Sequence, residues 1–94
     1  MSQLPTIGHL IGGQLITTGE RAQNVYNPAT GQAEKRVLLA SKAMVQEAIA
    51  NAQTAFPAWR NTPPLKRARV MSNLKVLLEQ NADEICALIT AEHG

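Results

Sequence analysis

The sequence predicts a predominantly α-helical domain that opens with a small amino-terminal β ribbon. Three observations carry that expectation. The chain has 94 residues, room for one small domain and not two. Its hydrophobic content is 45% but its aromatic content only 3%, limited to Tyr26, Phe56 and Trp59. The core must therefore come from Ala, Leu, Ile, Val and Met, the usual filling of packed helices. Finally, from Ser41 onward the apolar residues recur with a period of 3.6. The chain divides accordingly into a β-ribbon segment, residues 1–40, and a helical segment, residues 41–94, which together form one partial domain.

In the first segment, His9-Leu10-Ile11 and Gln14-Leu15-Ile16 flank Gly12-Gly13. A Gly pair between two short apolar runs signals a hairpin, because both turn positions can take positive φ. A turn over Thr17 to Glu20 follows. Asn24-Val25-Tyr26 then leads into Asn27-Pro28-Ala29-Thr30-Gly31, where Pro28 keeps Asn27 out of the helical region and Gly31 can close a turn. A further strand is expected over Glu34 to Leu39. Two-stranded ribbons are marginal alone in water, so these strands want a sheet or helices to lie on.

Ser41 is the expected cap of the first helix. Val45, Ala48, Ile49, Ala52 and Phe56 share one face, and Lys42, Gln46, Glu47, Asn51 and Gln53 point away. Pro57 removes the amide that would bond to Gln53, so this helix should end or kink near Phe56, with Trp59 tucked against its end. Thr62 is the expected cap of the second helix, with Pro63 at its first position. Met71, Leu74, Leu77 and Leu78 form its apolar stripe. Asn81 followed by Glu84 repeats a start signal, compatible with a break and a third helix from Ala82 to about Glu92. That helix presents Ile85, Leu88 and Ile89, and Gly94 stands where a helix stop belongs.

Nine Lys and Arg against seven Asp and Glu leave a formal charge of +2. Arg60, Lys66, Arg67, Arg69 and Lys75 precede Glu79, Asp83, Glu84 and Glu92, and without interleaved aromatics this reads as a solvated helix face, not a nucleic-acid surface. The amino terminus lacks the charge pattern of a secretory or transit peptide, and no apolar run approaches the ~20 residues of a membrane span. No membrane association is expected. A single cysteine fits a reducing, cytoplasmic setting.

No residue set assembles a catalytic, cofactor-binding or metal site. Cys86 lies among Ile85, Ala87, Leu88 and Ile89, after Asp83 and Glu84, so it reads as a buried structural residue and not as a nucleophile. His9 and His93 stand at opposite ends, and neither has a second ligand at metal-binding spacing. Gly8, Gly12, Gly13 and Gly19 fit neither the dinucleotide nor the P-loop spacing, and no helix opens after them.

Several segments in order, Ile11-Gly12-Gly13-Gln14, Asn27-Pro28-Ala29-Thr30-Gly31, Ala48-Ile49-Ala50-Asn51-Ala52, Ala55-Phe56-Pro57-Ala58-Trp59, Arg67-Ala68-Arg69-Val70-Met71 and Leu77-Leu78-Glu79, resemble the start of an NAD(P)-dependent aldehyde dehydrogenase. Phe56-Pro57-Ala58-Trp59, Thr62-Pro63-Pro64 and the ending Ile89-Thr90-Ala91-Glu92-His93-Gly94 are similar to the CoA-acylating methylmalonate-semialdehyde branch. The resemblance covers about Ile7 to Gly94. It implies the amino-terminal part of an α/β enzyme, with edge ribbon and helices packed on a dinucleotide-binding domain. For that parent it implies NAD and CoA, thiohemiacetal formation, hydride transfer, acyl transfer to CoA, and a homo-oligomer. The family's cofactor turn, general-base Glu and nucleophilic Cys match nothing here, so no cofactor is expected for this chain and the piece alone should be inactive. Its uncovered apolar stripes imply self-association. The rival reading is a stand-alone helical protein-interaction module.

Overall fold

The computed structural model describes residues 4–94, so the part of the amino-terminal reading that concerns residues 1–3 lies outside it. Strands β1 (Thr6–Ile7), β2 (His9–Ile11), β3 (Gln14–Ile16), β4 (Arg21–Asn27) and β5 (Gln32–Leu39) precede helices α1 (Lys42–Arg60), α2 (Pro64–Gln80) and α3 (Ala82–His93). The strands form a sheet of order β1-β5-β4 and a separate β2-β3 ribbon.

The ribbon is the expected hairpin, with His9 opposite Ile16 and Ile11 opposite Gln14. Gly12 and Gly13 hold φ of 60° and 75°, the left-handed pair that a two-residue turn matched to strand twist requires. Gly12 is constrained a second time, because a Cβ there would lie 2.8 Å from Asn51 Nδ2. Asn51 therefore sits over the ribbon turn; it does not belong to the outward face of α1 to which its position in the period assigned it. Gly8 answers a close approach of backbone to backbone, since a Cβ would run into the Ile16 carbonyl.

β4 and β5 pair antiparallel from Arg21 opposite Leu39 to Asn27 opposite Gln32, with a register shift between Val25 and Tyr26. β5 starts two residues earlier than expected. The turn between them is built by Asn27. Its Oδ1 accepts the Ala29 N–H at 2.9 Å, its carbonyl accepts the N–H groups of Thr30 and Gly31 at 3.2 and 2.8 Å, and its Nδ2 donates to Glu34 Oε1 at 2.9 Å. This is the Asx-turn chemistry that makes Asn a turn residue. β1 was not anticipated: two residues between Pro5 and Gly8 show no alternation. It pairs parallel to Arg36 and Val37, and the Arg36 N–H donates to the Pro5 carbonyl at 2.9 Å.

The helices depart from the sequence reading at their ends. Ser41 caps α1 as expected, its Oγ accepting the Met44 N–H at 3.1 Å. The helix does not end near Phe56 but runs through Pro57 to Arg60. Pro57 deletes one bond in the final turn, while the Asn61 N–H reaches the Pro57 carbonyl at 3.0 Å and the Thr62 N–H reaches that of Trp59 at 3.1 Å, closing the helix beyond it. Trp59 lies within this turn, 42% exposed, and is not folded back on the helix end. Thr62 caps nothing in α2; its hydroxyl donates back to the Ala58 carbonyl at 2.8 Å. Pro63 is the cap residue and Pro64 the first helical residue, one later than expected. Asn81 does separate α2 from α3, but its Nδ2 donates to the Leu77 carbonyl at 2.8 Å, so it closes α2 and gives no side-chain cap to α3. Gly94 ends α3 at φ 95°, its N–H on the Thr90 carbonyl at 2.9 Å.

Among the described residues the buried hydrophobic core is Leu38 alone, at 7% exposure, and no helix buries a residue. The accessible surface is 7854 Å², against about 5,300 Å² for a compact chain of this mass. The radius of gyration is 17.1 Å, against about 12 Å. The helices bury no residue against one another. Leu38→Ala should accordingly cost the most of any apolar truncation, about 2 to 3 kcal/mol, and Ile49→Ala less than about 1 kcal/mol because its side chain already faces solvent. Urea unfolding of the two variants followed by circular dichroism measures the difference.

Candidate functional site

Cys86 is free and exposed on the second turn of α3, which corrects its reading as a buried core residue. Its flanking Ile85, Leu88 and Ile89 predicted burial, but a stripe buries its neighbours only where another element covers it, and β4 approaches α3 without burying any of its residues. Sequence pattern reports the stripe and not the cover. His93 is the last residue of α3 and is exposed. His9 lies on β2, half-buried, in a shallow pocket of about 220 Å³ between ribbon and helix start, with Glu20, Arg21 and Ser41. Arg21 is already committed, donating to the Ala40 carbonyl at 2.9 Å. No group of three or more His, Cys, Asp or Glu side chains that would hold a metal occurs among the described residues.

The helix starts are equally informative, since an anion such as a pyrophosphate seeks free N–H groups at a positive helix end. At α1 one of these amides is taken by Ser41 Oγ. At α2 Pro63 and Pro64 have no N–H to offer. At α3 the first turn carries Asp83 and Glu84, which repel an anion. The Gly12-Gly13 turn leads into a strand, not a helix. Of the three helix starts, only that of α1 keeps free N–H groups without a proline or a carboxylate in its first turn.

Two arrangements escaped the sequence reading. Lys35 Nζ on β5 lies 3.6 Å from Glu92 Oε1 on α3, joining residues so far apart in sequence that no spacing rule links them. An open cavity of about 450 Å³ runs between β2 and α1, with Leu10 and Ile11 facing Met44, Val45, Ala48 and Ile49. The helical half of that lining was visible in the α1 period; the strand half was not. With Leu10 76% exposed, this is an open and largely apolar face, and His9 is the titratable side chain along it. No helix among the described residues is long and apolar enough to cross a membrane.

The family model described as the aldehyde dehydrogenase family matches residues 16–94. The malonate-semialdehyde dehydrogenase of Pseudomonas aeruginosa is 51% identical over 89 residues, covering 95% of this chain and 18% of its own length. The human mitochondrial acylating methylmalonate-semialdehyde/malonate-semialdehyde dehydrogenase is 38% identical over 94 residues, covering 99% and 18%. Among solved structures, a methylmalonate-semialdehyde dehydrogenase from Oceanimonas doudoroffii superposes with a TM-score of 0.93 at 65% identity, covering 97% of this chain and 19% of that one. A protein described as the corresponding enzyme of Sinorhizobium meliloti, complexed with NAD, gives 0.93 at 38% identity, covering 100% and 19%. The chain thus spans about a fifth of the length of the relatives it matches.

Two measurements test this geometry. Cys86 should react with a bulky thiol reagent in the native chain nearly as fast as in denaturant; strong protection would restore the buried assignment. Calorimetric titration with NAD or CoA should give no heat of binding, and a saturable isotherm would reveal a site that these helix starts do not provide.

Proposed function

We propose, for a chain that belongs to the aldehyde dehydrogenase family, that it is the amino-terminal segment of an oxidoreductase that oxidises malonate or methylmalonate semialdehyde with NAD and CoA to an acyl-CoA. The segment by itself does no chemistry. Its part in the enzyme is architectural: the β4–β5 hairpin and the three helices lay apolar faces against the remainder of the fold. The observation that carries this reading is the pairing of 65% identity with a TM-score of 0.93 to a methylmalonate-semialdehyde dehydrogenase, joined by 51% identity to a malonate-semialdehyde dehydrogenase. Identity at this level along nearly the whole segment, in a region without reacting groups, is what a shared scaffold and a related substrate class would leave.

The reading gives NAD and CoA to the parent enzyme, not to these residues, and sets that enzyme as a homo-oligomer in a reducing cytoplasm. The second reading, a stand-alone helical interaction module, draws on the exposed Val45, Ile49 and Phe56 of α1. The two differ in the natural product. Its intact mass should be near that of the relatives, and that full product should form NADH from malonate semialdehyde only when NAD and CoA are both supplied. The 94-residue chain should form none under the same conditions. A natural product with the mass of this chain alone, or NADH formation by it, would overturn the proposal.

A further inference from the structure

Glu92 stands where its own helix disfavours it. It lies in the last turn of α3, the end of a helix that carries partial negative charge and stabilises a cation, not an anion. The positions three and four residues before it hold Ile89 and Leu88, so no base within the helix offsets it. Its counter-charge comes from the sheet, with Lys35 Nζ 3.6 Å from Glu92 Oε1. The strand is shaped for that meeting. Val25 lies opposite Lys35 but Tyr26 lies opposite Ala33, so Glu34 is an extra residue, and a bulge of this kind bends a strand and re-aims the side chain beside it. Glu34 is itself engaged, accepting from Asn27 Nδ2 at 2.9 Å.

We propose that Lys35 and Glu92 form an electrostatic clasp that seats the last turn of α3 on the bulged end of the β4–β5 hairpin and opens with salt. Both act as positioning residues, and the inference concerns this chain's own architecture, apart from the enzymatic reading. The surroundings distinguish the pair from an ordinary surface one. The Lys35 side chain is 23% exposed, against 77% for Lys75 in its pair with Glu79, and solvent screens a half-buried charge less than an exposed one. Beside the pair, the crevice between Val25, Tyr26 and Ala91 is too narrow to admit water. Just past it, Gly94 at φ 95° closes on the turn, where a Cβ would lie 3.6 Å from Pro28 Cγ. The other end of α3 has no side-chain cap, so this seat is where α3 is held to the strands.

Hydrogen exchange of the amides of residues 90–94, measured in the 94-residue chain at low salt and corrected for each sequence's intrinsic rates, reads the seat directly. Lys35→Glu leaves α3 untouched and should speed that exchange about two- to fivefold. Glu92→Lys should speed it as well, although the helix dipole alone predicts slower exchange. The exchanged pair, Lys35→Glu with Glu92→Lys, should return to the rate of the unaltered chain. In about 1 M salt the unaltered chain should approach the single variants. Slower exchange in Glu92→Lys, no change in Lys35→Glu, or a double variant no slower than the singles overturns the proposal. Glu92→Gln touches no strand and keeps the test open should a charge reversal unfold the chain: it should speed exchange by a smaller factor, and a rate equal to or below that of the unaltered chain overturns the clasp. The NADH assay is independent of these results.

Discussion

Strand β5 is hydrogen-bonded along both edges, to β4 on one side and to β1 on the other, and this double pairing is what the rest of the chain hangs from. Its Leu38 is the buried core residue, with Cδ2 3.7 Å from where a side chain on Gly19 would begin. Its Lys35 reaches Glu92 on α3, so the far end of the helical segment is brought back onto the hairpin where the strands turn. Its last residues run within three positions into the Ser41 cap of α1. Beyond the sheet, α3 packs on β4 and the ribbon turn lies against Asn51 of α1.

With so little packing, the directions of the helices are set by local chemistry. Between α1 and α2 the chain is held by Thr62, whose hydroxyl binds the Ala58 carbonyl and whose own carbonyl accepts from Arg67 Nε. The proline pair then forbids continuation of α1 and presets the first turn of α2. Between α2 and α3 one residue, Asn81, takes the Leu77 carbonyl with both its backbone and side-chain nitrogens at 3.1 and 2.8 Å. Its own carbonyl accepts the Ile85 N–H at 3.0 Å to start the next helix. Arg60, 5.5 Å from the Phe56 ring centroid, steadies the last turn of α1, a contact worth at most about 1 kcal/mol at an exposed position. Bonds that span four or five residues thus mark both helix junctions, and the chain superposes on one about five times longer with a TM-score of 0.93.

What could be read from the sequence follows the range of the interaction. The Gly12-Gly13 hairpin, the Asn27 turn, the Ser41 cap and the Gly94 stop depend on residues within a few positions, and each stands where it was expected. Thr62 and Asn81 were identified as boundary residues correctly but with the wrong bonds. A hydroxyl or amide at a helix junction can turn forward to cap or backward to close, and side-chain type does not choose between them. β1, the Lys35–Glu92 pair and Asn51 over Gly12 depend on partners 30 or more residues away, and no periodicity carries that information. Cys86 failed for a related reason: apolar neighbours identify a face to be covered, and coverage belongs to the partner.

The same distinction explains how a segment of turns and helix ends can bear so specific a family signature. Asn27-Pro28-Ala29-Thr30-Gly31 is a turn whose Asn makes four hydrogen bonds of its own. Phe56-Pro57-Ala58-Trp59 is a helix end whose carbonyls are claimed by Asn61 and Thr62. Gly12 is fixed by φ and by Asn51 together. Each motif marks a place where backbone geometry leaves few residue types available, and geometry here is dictated by how the faces of α1, α2 and α3 must be aimed. The motifs of these 94 residues lie at turns, caps and helix ends. What they supply is a set of directions, and residues that set directions are as restricted as residues that react.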